Sequence, residues 1–535
     1  AIGSTKSALK ADVKLQWGDD TGGQIEDRGL GVDGIIDRQQ IDNGLATAPL
    51  MYGLLENARR SAQGNSREEY ADEMGKLFQA FTEVAAQHPV AAFPKAYSVA
   101  ELIEVSDTNP PISAPYTRHL VAKDGVNQAA AVVLTSVARA LELGVPRGKM
   151  VFPVTGSNVH DRYLVQRPNL ASSEAMMIAY RAVLESSCVA PEEISLLDLY
   201  SCFPIAVFNA CEALGIDPLG GRALTLTGGL PFFGGAGNNY SMHSIVNVAS
   251  QLRERRTGYG LVGANGGVLS KHAVGMYSAE PPENGWSSCD HKSLQARFNS
   301  EPYLEVDQHA SGPAAIETYS IDYRKGVPKK AYIVARTIEG KRFIAHSDPG
   351  DAETPQRMHA DDPIGKTVYV TSAGLGTRFS YSHSTAASLV PKRVLEQENS
   401  LACDGDAAWQ VLADFGNFLA WATGGAGTAR LEGDGVGMTR HLDIPELGLV
   451  SERLDRLDHA SRTLAYSMVS ETMAGMARYS ATVQVITEGA GRCALRWRGD
   501  FEPLPGIESE EVENSLAGSY TLMSHGLEAF VNAQA

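Results

Sequence analysis

Residues 228–239 read Gly-Gly-Leu-Pro-Phe-Phe-Gly-Gly-Ala-Gly-Asn-Asn, just ahead of an apolar helical run at 244–252. Five glycines in twelve residues require a backbone that turns tightly and admits a close neighbour, because glycine alone enters positive φ freely. The paired aromatics Phe232 and Phe233 set the segment apart from a flexible linker. A second glycine-rich segment follows, Gly263-Ala-Asn-Gly-Gly267, and then Lys271-His272. Gly234-Gly-Ala-Gly-Asn-Asn239 does not have the Gly-x-Gly-x-x-Gly spacing of a dinucleotide site, and no suitably placed acidic residue follows a second strand.

The chain has 535 residues, enough for several domains. Hydrophobic residues make up 43% and charged residues 20%, as in ordinary globular proteins. A formal charge of −17 argues against non-specific binding to nucleic acid or to an anionic membrane surface. No apolar run reaches the length of a membrane span. The six cysteines (188, 202, 211, 289, 403 and 493) are scattered without C-x-x-C spacing. That pattern predicts reduced thiols in a cytoplasmic protein, with neither a disulfide frame nor a metal site. No signal peptide is recognisable.

Outward from the glycine segments, strands and helices alternate. Residues 150–154, 194–200 and 258–263 read as strands, and 171–187 and 204–214 as helices, the pattern of an α/β layered domain. Before them, 45–86 is helical, with Ser66 and Glu69 spaced as a capping box. Residues 1–17 suggest a short helix and a strand at 13–17, and 18–40 a loop. Between 125 and 144 lie an apolar stretch and a helix. From about 293 the pattern becomes β-rich, with 346–362 as an exposed charged loop. A last domain combines short helices around Trp409, Phe418 and Trp421, a series of alternating strands, and a long helix from 509 to about 533.

The two glycine segments resemble the active-site loops in the C-terminal half of a thiolase. Leu197-Asp-Leu-Tyr-Ser-Cys-Phe203 occupies the place of the Asn-Glu-Ala-Phe motif, or of His-Asp-Cys-Phe in sterol-carrier-protein-type thiolases of the acetyl-CoA acetyltransferase family. The resemblance implies an incomplete first repeat over 1–148, with a helical loop domain at about 45–118. It further implies a second repeat over 149–291 and a β-rich, OB-like extension over 292–385. The element order of 388–535 resembles the helix-grip fold of START-like and polyketide-cyclase-like (SRPBCC) proteins, which implies an apolar cavity. The expected fold class is therefore a thiolase-like α/β layered domain, a small β domain and an α+β helix-grip domain.

Where the family carries its catalytic His and Cys, this sequence has Gly235 and, at or beside the Cys position, Ala264. No Cys precedes Cys188, so the resemblance implies that the nucleophile half-repeat lies outside this sequence, on a partner polypeptide, lost from it, or not used by the protein. Three side chains are candidates for catalysis. Cys202 is either a small buried hydrophobe or a thiol activated by the helix starting near Pro204. Tyr200 either anchors a strand end or exchanges a proton with an acyl β-hydroxyl. His272 either packs in the core or replaces the missing acid–base group. His243 reads more simply as a helix-packing residue. Gly234, Gly235, Gly237, Asn238, Asn265, Gly266 and Gly267 are the expected ligand-binding positions, with backbone N–H groups facing a thioester carbonyl.

The resemblance thus implies a CoA thioester as substrate or ligand, no further cofactor, and a place in lipid or sterol metabolism. Ordinary thiolysis is not expected, whereas retro-aldol cleavage or acyl transfer remains open to Tyr200, Cys202 and His272. The alternative is a non-enzymatic carrier that binds acyl-CoA in its α/β part and an apolar group in the last domain. An acid–base residue facing both glycine segments separates the two.

Overall fold

A computed structural model of the chain describes residues 35–534 except 284, 309, 349–350, 374–375, 389–392, 446–447, 470–473, 490 and 505–506. The helix and strand predicted before residue 18 lie outside the described residues. The chain divides into two compact units, one of Ala1–Gln308 and Pro313–Val368, the other of His309–Gly312 and Tyr369–Ala535.

In the first unit, helix α1 (Ala48–Gln63) and helix α2 (Arg67–Gln87) form the predicted helical region. Ser66 and Glu69 close the capping box at the start of α2, with Ser66 Oγ accepting from Glu69 N at 3.1 Å. A sheet follows from strands β1 (Phe152–His160), β2 (Ile194–Asp198), β3 (Tyr259–Gly266) and β4 (Lys271–Ser278). Its order is β2-β3-β4-β1, with Ser287–Ser288 beyond β1; β2 and β3 are parallel and the β3–β4–β1 contacts antiparallel. Helices α3 (Glu174–Ser187), α4 (Pro204–Leu214) and α5 (Tyr240–Arg255) accompany it. Strands β5 (Gly312–Arg324), β6 (Val327–Thr337) and β7 (Arg342–Ser347) make the antiparallel extension. One hydrophobic core runs through all of these parts, from Leu54 and Phe78 through Val183 and Phe208 to Val334 and Ile344.

Three local readings change. The second glycine segment is mostly strand, because Val262–Gly266 continues β3 in register with β4, and only Gly267 enters the turn. The loop expected at 346–362 contains a helix, Glu353–Ala360, which buries Thr354, Pro355 and Met358. The apolar stretch near 130 forms no element beyond the short helix Val137–Glu142, and Val133 and Leu134 are 94% and 85% exposed. Apolar composition predicted order there, but no neighbouring strand among the described residues takes up its backbone groups.

The second unit holds β8 (Arg393–Leu401), α6 (Gly405–Ala413), α7 (Phe418–Ala422), β9 (Thr428–Glu432), β10 (Thr439–Ile444), β11 (Gly448–Asp458), β12 (Thr463–Met468), β13 (Met476–Gly489), β14 (Arg492–Pro503) and α8 (Ser509–Gln534). The strands form one antiparallel sheet in the order β8-β14-β13-β12-β11-β10-β9. The first strand, β8, pairs last with β14, which closes the sheet around α8. Leu516, Tyr520 and Leu527 of α8 are buried as their spacing predicts, whereas Leu522 is 72% exposed. This is the helix-grip arrangement, and its apolar strand faces are covered by α8 together with the short helix α6.

Candidate functional site

The first glycine segment is a buried wall. Gly228 (φ +100°) lies against α2, where a Cβ would stand 2.6 Å from the backbone N of Ala85. Phe232 and Phe233 are fully buried. Phe232 meets Phe78 edge-on at 5.9 Å, and Phe233 meets His243 at 5.1 Å, so His243 is a packing residue of α5. The wall spends its own donors: Gly235 N donates to Lys123 O and Gly237 N to Gly235 O, both at 2.8 Å. Gly234 (φ +116°) faces the Gln128 side chain, whose Nε2 donates to Phe233 O at 2.8 Å. Gly237 and Asn238 are exposed in the turn before α5.

Asp198 holds this wall in place. It ends β2, is fully buried, and accepts through Oδ2 from Leu226 N (2.8 Å) and Thr227 N (2.9 Å) and through Oδ1 from Ser244 Oγ (2.7 Å). Sequence reading passed over it, although a carboxylate closing an apolar strand (Leu-Leu-Asp-Leu) needs exactly such donors once buried.

Cys202 reaches the second segment only. Asn265 Nδ2 lies 3.7 Å from its Sγ and donates to Tyr52 Oη at 2.7 Å. Tyr52 in turn donates to Gly267 O at 3.1 Å and stacks on Phe203 at 4.3 Å. Burial pushes the Cys202 thiol up to about 12, so it is a neutral thiol despite the helix that begins at Pro204. His272 pairs with Asn265 across β3 and β4, but its Nε2 meets Ser173 Oγ at 3.1 Å, and Ser173 donates to Asp161 at 2.9 Å. Burial holds the imidazole down to about 4, leaving it neutral near pH 7. Tyr200 packs edge-on against Tyr240 at 5.6 Å, and burial raises its phenol above the ordinary range. Gly266 pairs with Lys271 at the end of the hairpin. No contact among the described residues brings any of the three candidates onto both glycine segments.

Alkylation will reflect this burial. Cys188 is exposed at the C-terminal end of α3 and should react with iodoacetamide at pH 8. A thiol near 12 has roughly a thousandfold less thiolate than an ordinary one, and Cys202 should stay unlabelled until the protein is unfolded. Peptide mass mapping checks this; rapid native labelling of Cys202 would contradict its assignment as a core thiol.

Two further features were not read from the sequence. Glu56 on α1 is fully buried and accepts from Tyr70 Oη (2.6 Å), Tyr116 Oη (2.7 Å) and Ile205 N (2.9 Å) in the first turn of α4. Beside the glycine wall lies a cavity of about 520 Å³ lined by Phe93, Tyr97, Arg118, His119 and Lys123. Lys123 joins cavity and wall, since its Nζ donates to Pro231 O at 2.9 Å and lies 5.6 Å from the Phe232 ring centre. Burial, with Arg118 adding to it, lowers the Lys123 ammonium to about 8. Neither Arg118 nor Lys123 has a carboxylate partner among the described residues.

Residues 293–375 match the family model described as the thiolase-like protein type 1 additional C-terminal domain. Residues 392–531 match the one described as polyketide cyclase / dehydrase and lipid transport. The crystal structure of a monomeric SCP2-thiolase like protein type 1 from Mycobacterium smegmatis is 39% identical, covering 65% of this chain and 75% of that one, with a TM-score of 0.61. This chain belongs to the thiolase-like protein type 1 family. Its thiolase-like part is followed by a helix-grip domain, and the whole is a lipid-related thiolase-like protein. Norcoclaurine synthase from Thalictrum flavum, in complex with dopamine and hydroxybenzaldehyde, is similar over 27% of this chain and 88% of that one, at 20% identity and a TM-score of 0.23. The Zhui aromatase/cyclase from Streptomyces sp. R1128 is similar over 26% and 94%, at 19% identity and a TM-score of 0.24. No curated protein matches the chain. Among the described residues of this thiolase-like chain no helix is long and apolar enough to cross a membrane, and no cluster of His, Cys, Asp or Glu could hold a metal ion.

Proposed function

We propose that this chain binds a CoA thioester in its α/β unit without ordinary thiolase turnover, and an apolar ligand in its helix-grip domain. The cavity beside the glycine wall carries the first part. In a chain of net charge −17, Arg118 and Lys123 are two cations without a carboxylate partner among the described residues, set with Phe93, Tyr97 and the carboxylate of Asp124 in the cavity lining. That combination suits the phosphates and the flat base of a nucleotide-bearing thioester. Cys202 and His272 are buried and Tyr200 is half-buried, all three in neutral forms, which favours binding over turnover.

Calorimetry with acetyl-CoA is expected to show binding that weakens at least tenfold in an Arg118→Ala/Lys123→Ala double variant, on the order of 1.4 kcal/mol or more. Acetoacetyl-CoA with free CoA should show no thioester loss above background. Equal affinity in both proteins would place the ligand elsewhere, and turnover at normal thiolase rates would overturn the reading. The second part is favoured by a cavity of about 270 Å³ between the helix-grip sheet and α8, lined by Leu442, Val450, Met476, Leu516 and Met523 and reached by Phe418. Trp409 and Trp421 do not line it: Trp409 Nε1 donates to His459 at 3.2 Å, and Trp421 packs edge-on against the lining residue Phe418 at 5.1 Å.

A further inference from the structure

The helix-grip cavity is lined mostly by apolar side chains; its polar lining is Glu452, Tyr466, Tyr479 and Tyr520, with Thr423, Ser515 and Ser519. Glu452 is 6% exposed. Its Oε2 takes both bonds from Arg440, at 2.8 Å from Nε and 2.6 Å from Nη2. No hydrogen bond from the described residues reaches Oε1. Arg440 cannot turn toward a ligand. Its guanidinium lies 3.9 Å and 4.1 Å from the ring centres of Phe415 and Phe418, and its Nη1 donates to Phe415 O at 3.0 Å. The three tyrosine hydroxyls form a row, Tyr466 to Tyr479 at 3.3 Å and Tyr479 to Tyr520 at 3.0 Å. Two bonds use two of the three O–H protons, so one hydroxyl of the row keeps a proton to give, and all three tyrosines line the cavity.

Glu452, Arg440 and the tyrosine row together therefore offer one acceptor, one donor and no spare positive charge. We infer that the cavity selects an uncharged, mostly apolar molecule carrying a hydroxyl group, which donates to Glu452 Oε1 and accepts from the tyrosine row. A carboxylate would instead face Oε1 with no cation free to pair it, and burying such a charge unpaired is costly. The volume of about 270 Å³ is at the small end of ligand pockets and fits two or three fused rings. This inference rests on the reading that the domain binds an apolar ligand.

The full chain should be titrated with naphthalene, 2-naphthol and 2-naphthoate at pH 7, followed by calorimetry. The alcohol is expected to bind at least tenfold tighter than either of the others. Glu452→Gln and a Tyr466→Phe/Tyr479→Phe/Tyr520→Phe triple variant should each bring 2-naphthol within about threefold of naphthalene, and Met523→Trp, which fills the cavity, should abolish all binding. The triple variant keeps the test valid if Glu452→Gln leaves Arg440 unpaired and fails to fold. Tight binding of naphthalene without preference for the alcohol, or a preference for 2-naphthoate, overturns the hydroxyl assignment while leaving the cavity reading intact. No binding of any probe overturns both.

Discussion

Asp198→Ala is expected to remove at least about 4 kcal/mol of stability, a large part of the roughly 5–15 kcal/mol that holds a typical folded unit. Besides Leu226 N, Thr227 N and Ser244 Oγ, the carboxylate accepts from Thr227 Oγ1 at 3.0 Å, Thr225 Oγ1 at 3.1 Å and Tyr240 Oη at 3.4 Å. Alanine leaves two backbone N–H groups and several hydroxyls buried without their acceptor, at roughly 1–3 kcal/mol for each group that water cannot reach. The damage begins at Thr225 and passes straight into the glycine wall, because residues 227–235 are all buried. Asp198→Asn keeps the shape but turns an NH2 toward groups that need an acceptor, and about half the loss is expected. Urea unfolding of the three proteins measures this. A change below 1 kcal/mol for Asp198→Ala would mean that the wall is held by its packing alone.

Glu56 should make stability depend on pH in the direction opposite to most carboxylates. Burial is the largest influence and raises it from 4.5 to about 7, against the pull of Tyr116, Tyr70 and Ile205 N. Since the folded state holds its proton more tightly than the unfolded chain, its contribution is complete below about pH 4.5 and is lost as pH rises through about 7. A shift of that size corresponds to roughly 3 kcal/mol. His272 works the other way. Its lowered value makes folding lose stability as pH falls from its ordinary 6.5 through about 4. The comparison must therefore be with Glu56→Gln, which removes only the one titration. Between pH 5 and 8 the wild type should lose about 2.5 kcal/mol relative to that variant. Parallel curves for both proteins would show that Glu56 is ionised throughout and that its three donors outweigh its burial.

Much of the molecule could be read from the chain because the signals were local. The Ser66–Glu69 capping box starts α2 where expected. The alternating pattern from 428 to 503 became consecutive antiparallel strands, and the spacing of Leu516, Tyr520 and Leu527 fixed the covering face of α8. Period and capping depend on neighbours within a few residues, so they survive in a sequence. Strand β8 escaped that reading. Its exposed and half-buried residues give a weak pattern, and it gains its place only by pairing with β14 nearly a hundred residues later.

The site was decided by contacts that the sequence spaces far apart. The thiolase-like motif placed Cys202 and Asn265 in the right neighbourhood, but Tyr52 was needed to join them and burial was needed to make the thiol inert. His272 sits seven residues from Asn265 and faces it across two strands, yet its imidazole is taken by Ser173 from another helix. Glu56 looked like one polar residue in a helical run until Tyr70, Tyr116 and α4 closed around it. Protonation state and free hydrogen-bonding capacity are set by what surrounds an atom in three dimensions, so residue type and spacing named the candidates and tertiary burial assigned their chemistry.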